Sequence, residues 1–298
     1  MTPELQRAVE ELIASSSGKA AAIVGRSGAS GGCISVAEHL QLEDGRRYFL
    51  KSNAAPLPGL FERECVGLAA LEESGTLRVP VPLGTGGAVG SGVLPFIVME
   101  AIAQGNPSAD FFDVFGRSFA ELHRITRADA FGFNDDNYLG ATPQPNPWTR
   151  DWCEFWREHR LGFQLRLARK LGHADPELNR LGDRLLGRLE EYLGEPNEPP
   201  CLLHGDLWSG NFLADDSGQP VLIDPAAYYG RREADLAMTL IFGGFSRRFY
   251  AAYEEVWPLA DGAQTRLEIY KLYHLLNHLN LFGASYRGQC LSTLKRLA

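Results

Sequence analysis

Lysine is scarce in this chain, with five residues against 24 arginines. Cysteine is neither abundant nor paired. Cys33, Cys65, Cys153, Cys201 and Cys290 are scattered, odd in number and without a C-x-x-C spacing. That excludes an obvious zinc site and suits a reducing compartment. No apolar run approaches the length that crosses a bilayer. Residues 1–17 alternate charged and apolar side chains at helical spacing, and lack the apolar core of a signal peptide. The expectation is a cytoplasmic protein with no membrane partner. An excess of basic residues is missing too, since the formal net charge is −8, which argues against a nucleic-acid partner. Neither an internal repeat nor a low-complexity tract appears. What is present is 298 residues of ordinary globular composition, 45% hydrophobic and 22% charged, enough for one large domain or two lobes with separate cores.

Against that background the stretch Leu203-His204-Gly205-Asp206-Leu207-Trp208-Ser209-Gly210-Asn211 stands out. It reads H-G-D-L-x-x-x-N, the spacing of Asp and Asn in the H-R-D-L-x-x-x-N loop of protein kinases. In that loop the Asp accepts the proton of the attacking hydroxyl and the Asn holds a magnesium ion. Thirteen residues past Asn211, after the strand-like run 220–223, comes Asp224, where a second magnesium-binding carboxylate belongs, with Asp-Pro-Ala in place of Asp-Phe-Gly. Phosphoryl transfer asks for this set: a base beside the acceptor hydroxyl and oxygen ligands for a hard cation.

The N-terminal third supplies companions. An amphipathic helix over 3–15 is followed by a glycine-rich stretch, Gly25 to Cys33, between apolar runs 20–24 and 34–37. Gly28, Gly31 and Gly32 would let the backbone approach a phosphate with no Cβ in the way. Residues 47–51 read as a strand ending in Lys51, placed as a kinase places its phosphate-contacting lysine. In the helix expected over 60–74, Glu62 and Glu64 both qualify as its partner; Glu64 is favoured by an E-x-x-x-L-x-x-L arrangement. Further strands are expected at 79–81 and 94–99. A hinge follows, in which backbone groups of Glu100 and Ile102 would meet an adenine. From residue 109 the pattern turns helical, over 111–125, 152–171, 177–193, 233–257 and 262–282, with His123 a packed structural residue. The fold class expected is α+β, a two-lobed protein-kinase-like fold. Residues 1–102 form the small β-rich lobe and 103–298 the larger, mostly helical one.

The chain resembles the fructosamine kinase (ketosamine-3-kinase) family, within the aminoglycoside-phosphotransferase and choline-kinase group. The resemblance rests on Gly31-Gly32-Cys33-Ile34-Ser35, 61–68, Asn137-Tyr138-Leu139-Gly140, Pro143-Gln144-Pro145-Asn146, 152–156, Arg160-Leu161, 204–211, Ile223-Asp224-Pro225-Ala226 and 233–238. It implies ATP-dependent, magnesium-requiring phosphorylation of the 3-hydroxyl of a ketosamine, either a small molecule or a glycated protein. The product is unstable and releases the amine, so the reaction initiates deglycation. Carried over, Asp206 is the base, Asn211 and Asp224 bind magnesium, Lys51 contacts the α/β-phosphates and Glu64 orients it. Trp208 is expected to pack on the sugar or amine of the acceptor. Glu233 and Asp235 are expected to brace the catalytic loop. Cys33 is associated in the family with redox-sensitive disulfide dimers, and a monomer or a homodimer fits. An aminoglycoside or choline acceptor on the same fold is the rival reading, and a nucleotide-binding scaffold without turnover a third.

Overall fold

Thr2 to Gly18 carry the signals of a helix with defined ends. The Thr2 hydroxyl accepts from the Leu5 N–H, Pro3 occupies the first turn, and Gly18 ends the element in the left-handed region (φ 69°). This α1 (Pro3–Ser17) buries Leu5, Val9 and Ile13, one face at i, i+4, i+8, against Leu40, Leu50, Phe96 and Val98. The latter belong to a five-stranded antiparallel sheet of β1 (Ile23–Gly28), β2 (Val36–Leu42), β3 (Arg47–Ser52), β4 (Pro82–Gly86) and β5 (Phe96–Glu100), in the order β1-β2-β3-β5-β4. The helix α2 (Leu60–Glu73) lies between β3 and β4 in sequence and buries Phe61, Leu68 and Leu71.

The computed structural model describes residues 1–29, 35–55 and 57–298. Gly31, Gly32 and Cys33, singled out from sequence, lie outside the described residues. The chain divides into two units, Met1–Phe111 with Phe212–Pro225, and Phe112–Asn211 with Ala226–Ala298. The sequence reading cuts the chain once, at 102/103. In the structure residues 103–111 and a hairpin far down the chain belong with the first unit.

The second unit is mostly helical: α3 (Phe111–Ile125), α4 (Trp152–Phe155), α5 (Gly162–Lys170), α6 (Pro176–Gly187), α7 (Leu189–Leu193), α8 (Glu233–Thr239), α9 (Arg247–Val256), α10 (Ala263–Phe282) and α11 (Arg287–Leu297). Two short antiparallel pairs accompany them, β6 (Asn137–Leu139) with β7 (Thr142–Gln144) and β8 (Cys201–Leu203) with β11 (Tyr228–Gly230). The hairpin β9 (Phe212–Ala214) and β10 (Pro220–Leu222) is the piece returned to the first unit. The α+β class expected from sequence is the class observed.

Several elements differ from expectation. The strand expected at 79–81 lies at Pro82–Gly86 instead. The helix expected over 152–171 contains a π-helical turn, Trp156–Leu161, between α4 and α5. The single helix expected over 233–257 is two, because Gly243 and Gly244 adopt positive φ (71° and 92°) and Ser246 then caps α9. No helix among the described residues is long and apolar enough to cross a membrane.

Candidate active site

Strand alternation turns Leu50 toward the core of the first unit and Lys51 to the other side of the sheet, where it is still just 7% exposed. A buried ammonium needs partners. Lys51 Nζ donates to Glu64 Oε1 at 2.7 Å and also to Asp224 Oδ1. Burial alone would lower the Lys51 pKa, but the Asp224 and Glu64 carboxylates outweigh it and hold the ammonium well above the usual lysine range. Burial pushes the Glu64 carboxyl up, opposed by the Lys51 charge. The choice between Glu62 and Glu64 is settled by helix geometry. Glu64 is three residues past Phe61 and four before Leu68, on the packed side of α2, whereas Glu62 is exposed.

Asp224 sits two residues beyond β10 with φ 57°, in the left-handed region, although it is not glycine and precedes a proline. Such a conformation costs free energy and persists where the surroundings over-determine it, often at a functional carboxylate. The surroundings here are specific. In the β9–β10 register Phe212 faces Leu222. The Asp215 carboxylate accepts from Ser217 Oγ (2.6 Å) and from the Ser217 and Gln219 N–H groups, which closes the turn. Those hydrogen bonds, with Arg78, hold its pKa down at about 2. Arg78 Nη1 reaches Asp215 (2.8 Å), its Nη2 reaches Glu100 (2.6 Å), and its carbonyl accepts from the Leu222 N–H (2.9 Å). The hairpin carrying Asp224 is therefore stitched to the end of β5.

That stitching bears on the hinge residues. The Glu100 side chain is an Arg78 partner, and its N–H donates to the Val81 carbonyl (2.8 Å). The Ile102 side chain is buried. Gly28 ends β1, and a Cβ there would meet no atom of the described residues within 4 Å.

In the second unit β8 delivers His204-Gly205-Asp206. Gly205 is obligatory: its φ is 82°, and a Cβ added to it would lie 2.1 Å from the Ala226 carbonyl oxygen. The His204 and Gly205 N–H groups both donate to the Asp235 carboxylate, each at 2.7 Å. His204 Nδ1 accepts from the Asp206 N–H (3.2 Å). Asn211 Nδ2 donates to the Asp206 carbonyl (2.8 Å) and to its Oδ2 (3.3 Å), so Oδ1 is the Asn211 atom with cation-ligand chemistry. Trp208 is partly exposed, folds over Gly210 and meets the edge of Phe242 at 5.9 Å. The residues singled out from sequence thus resolve into Lys51–Glu64–Asp224 in one unit and Asp206–Asn211–Trp208 in the other.

Asp235 braces the loop, but Glu233 does not. Its carboxylate is clasped by Arg266 from α10, Nε and Nη2 each at 2.7 Å. His123 is a packed residue as expected, with Nε2 3.3 Å from Asp235, Nδ1 2.8 Å from the Tyr253 hydroxyl, and a pKa lowered by burial. Sequence reasoning picked out Asn137, Gln144, Asn146 and Arg160 as motif residues without a role. They form one buried polar network. Asn137 donates to the Ala227 carbonyl (2.8 Å) and Gln144 to the Ala226 carbonyl (3.0 Å). Asn146 and Gln144 both donate to Asn137 Oδ1. Arg160 donates to Asn146 Oδ1 and the Pro145 carbonyl, each at 2.6 Å, and lies 4.0 Å over the Tyr228 ring. The network fixes the backbone just past Asp224-Pro225.

A strand lysine paired to a helix glutamate, with an H-G-D-L-x-x-x-N loop and a following aspartate, defines a phosphotransferase of the protein-kinase type. Likeness to aminoglycoside phosphotransferase APH(4)-Ia, solved with ADP and hygromycin B, supports that fold (TM-score 0.64, 18% identity, 97% of this chain and 98% of that one). The particular family follows from residues 5–298, which match the family model for fructosamine kinase, and the chain belongs to that family. It is 40% identical to a probable ketoamine kinase of Synechocystis sp., covering 99% of this chain and 97% of that protein. It is 42% identical to a chloroplastic protein-ribulosamine 3-kinase of Oryza sativa, over 93% and 80%. A putative fructosamine-3-kinase from Haemophilus somnus superposes with a TM-score of 0.87 at 27% identity, over 97% of this chain and 96% of that one.

Proposed function

We propose that this protein is an ATP-dependent kinase that phosphorylates the 3-hydroxyl of ketosamines and so starts their deglycation. The kinase half is carried by one observation, the buried Lys51 ammonium shared between Glu64 and a left-handed Asp224. A pair made for structure alone has no use for a strained second carboxylate. The acceptor half rests on family membership and on relatives of about 40% identity named as ketoamine and ribulosamine kinases, against 18% for the aminoglycoside enzyme.

The roles follow from the chemistry of each group. Lys51, aimed by Glu64, neutralises the α/β-phosphates as a compact point charge. Asn211 Oδ1 and the Asp224 carboxylate are hard oxygen donors that suit magnesium. Magnesium, when bound, offsets the charge that builds on the β- and γ-phosphate oxygens. Lys51 exchanges its contact with Asp224 for nucleotide. Asp206 takes the proton of the 3-hydroxyl as its oxygen bonds to the γ-phosphorus and the bond to the β-phosphate oxygen breaks, leaving ADP. The carbonyl of Glu100 and the backbone of Ile102 are the adenine contacts, Gly28, Gly31 and Gly32 the phosphate loop, and Trp208 the acceptor-facing ring.

An ATP-consumption assay with ribulosamine and fructosamine against choline and kanamycin tests the reading. Turnover is expected with the two ketosamines, and Asp206→Asn is expected to lose at least about a thousandfold in kcat while keeping ATP affinity. Preference for choline or kanamycin would overturn it. A redox role for Cys33 is tested separately, by an oxidant-induced dimer that disappears in Cys33→Ser.

A further inference from the structure

Gln144 is buried on β7, and both ends of its amide are engaged. Nε2 donates to the Ala226 carbonyl (3.0 Å) and to Asn137 Oδ1 (2.8 Å), while Oε1 accepts from the Tyr273 hydroxyl of α10 (2.7 Å). A main-chain carbonyl can only accept, so the Gln144 nitrogen must face Ala226 and the amide has one orientation. Burial pushes the Tyr273 pKa up to about 12, which keeps its hydroxyl a donor to Oε1. The chemistry specifies the residue type. An ionised glutamate of the same shape has no proton for the Ala226 oxygen, and an apolar side chain leaves every partner unpaired.

The residue that Gln144 holds lies against the catalytic loop. The Ala226 N–H donates to the His204 carbonyl (2.9 Å), which continues the β8–β11 ladder beyond Leu203 and Tyr228. The Ala226 oxygen fills the space where a side chain on Gly205 would have to lie. Asp235 takes the N–H groups of His204 and Gly205. The loop is thus held through its donors by Asp235 and through the His204 carbonyl by Ala226, with Asp206 the next residue along. Ala226 in turn is held at both main-chain groups, by His204 and by Gln144. Releasing its carbonyl lets the oxygen tilt toward or away from Gly205, and the base moves with that glycine.

We infer that Gln144 is a positioning residue for phosphoryl transfer: by holding the Ala226 carbonyl it fixes the place of Gly205 and so of the Asp206 carboxylate. The inference rests on Asp206 being the base, and adds a strand residue, itself steadied from α10 by Tyr273, that sets where the base stands.

A double-mutant cycle in the full chain, with a ketosamine acceptor, is the test. Gln144→Met keeps the length of the side chain and removes its hydrogen bonds. It is expected to lower kcat at least about tenfold with both KM values within about twofold, since a displaced base weakens the transition state alone. In the Asp206→Asn background the same change is expected to alter kcat by less than about twofold, because the group being positioned is already gone. Asn280→Leu removes another buried amide of α10, one that donates to Gln164, and is expected to lower the thermal midpoint while kcat holds. Tyr273→Phe leaves both Gln144 donations in place and is expected to cost about threefold, again only when Asp206 is present. It carries the cycle if Gln144→Met does not fold. Equal costs with and without Asp206 overturn the inference, as does an unchanged kcat in Gln144→Met. So does a rise in the magnesium concentration for half-maximal turnover, which would place the effect at Asp224. Wild-type kcat in Asp206→Asn alone defeats the base reading and the inference with it.

Discussion

Lys51 and Gly205 make opposite kinds of demand on their surroundings. Lys51 is a buried charge held by two carboxylates, so replacing it strands both of them. Lys51→Met is expected to cost at least about a hundredfold in kcat/KM for ATP while the KM of the ketosamine changes little, read from separate titrations of the two substrates. Glu64→Gln, which keeps one acceptor for the ammonium, should fall between. Gly205 makes a demand on space alone. A methyl group 2.1 Å from the Ala226 oxygen forces the strand end to shift, and Asp206 shifts with it. Misplacing a reacting group by about 1 Å costs on the order of a hundredfold. Gly205→Ala is therefore expected to lower kcat by about that factor with ATP affinity kept, as measured by nucleotide titration beside turnover.

At the scale of elements, the π-helical turn between α4 and α5 is what presents Arg160, fully buried, to the loop carrying Asn146. Its partners are carbonyl oxygens, an amide oxygen and the faces of Tyr228 and Phe155. Arg160→Met is expected to destabilise the fold by roughly 2–4 kcal/mol, because it leaves buried acceptors unpaired. A lower urea midpoint at unchanged slope is the measurement. This network also marks where sequence reading stops. Lys51, Asp206, Asn211 and Asp224 are legible because the chemistry fixes residue type and spacing within short stretches. Glu64 over Glu62 is legible from helix periodicity. The network joins Asn137 to Ala227 and Gln144 to Tyr273, 90 and 129 positions apart, and no local pattern encodes such pairings. The π turn has no composition of its own, and the left-handed Asp224 is invisible in an Asp-Pro-Ala string. Gly243-Gly244 announces the interrupted helix at 240–246, but the periodicity on either side conceals it.

For the molecule as a whole, acid sensitivity is set by buried neutral histidine as well as by carboxylates. His274 is fully enclosed, and burial, with His278 nearby, lowers its pKa to about 3. Unfolded, it titrates near 6.5. Between those values the unfolded chain binds a proton that the folded chain refuses, so this contribution is complete above pH 6.5 and is lost as the pH falls toward 3. It amounts to about 2 kcal/mol between pH 7 and pH 5 for this residue. His274→Phe is expected to flatten the stability profile across that interval in denaturation series at fixed ionic strength, and an unchanged slope would assign the acid sensitivity elsewhere.

The same large scale holds a consequence for synthesis. The first unit spans Met1–Phe111 but needs Phe212–Pro225 to supply its Asp224 carboxylate. While a ribosome is still making the intervening hundred residues, Lys51 has Glu64 and lacks its second partner. Nascent chains halted before residue 225 should therefore leave that lysine incompletely neutralised. The first unit is complete only after much of the second has been made, a temporal order that any split or permuted version of the gene must respect.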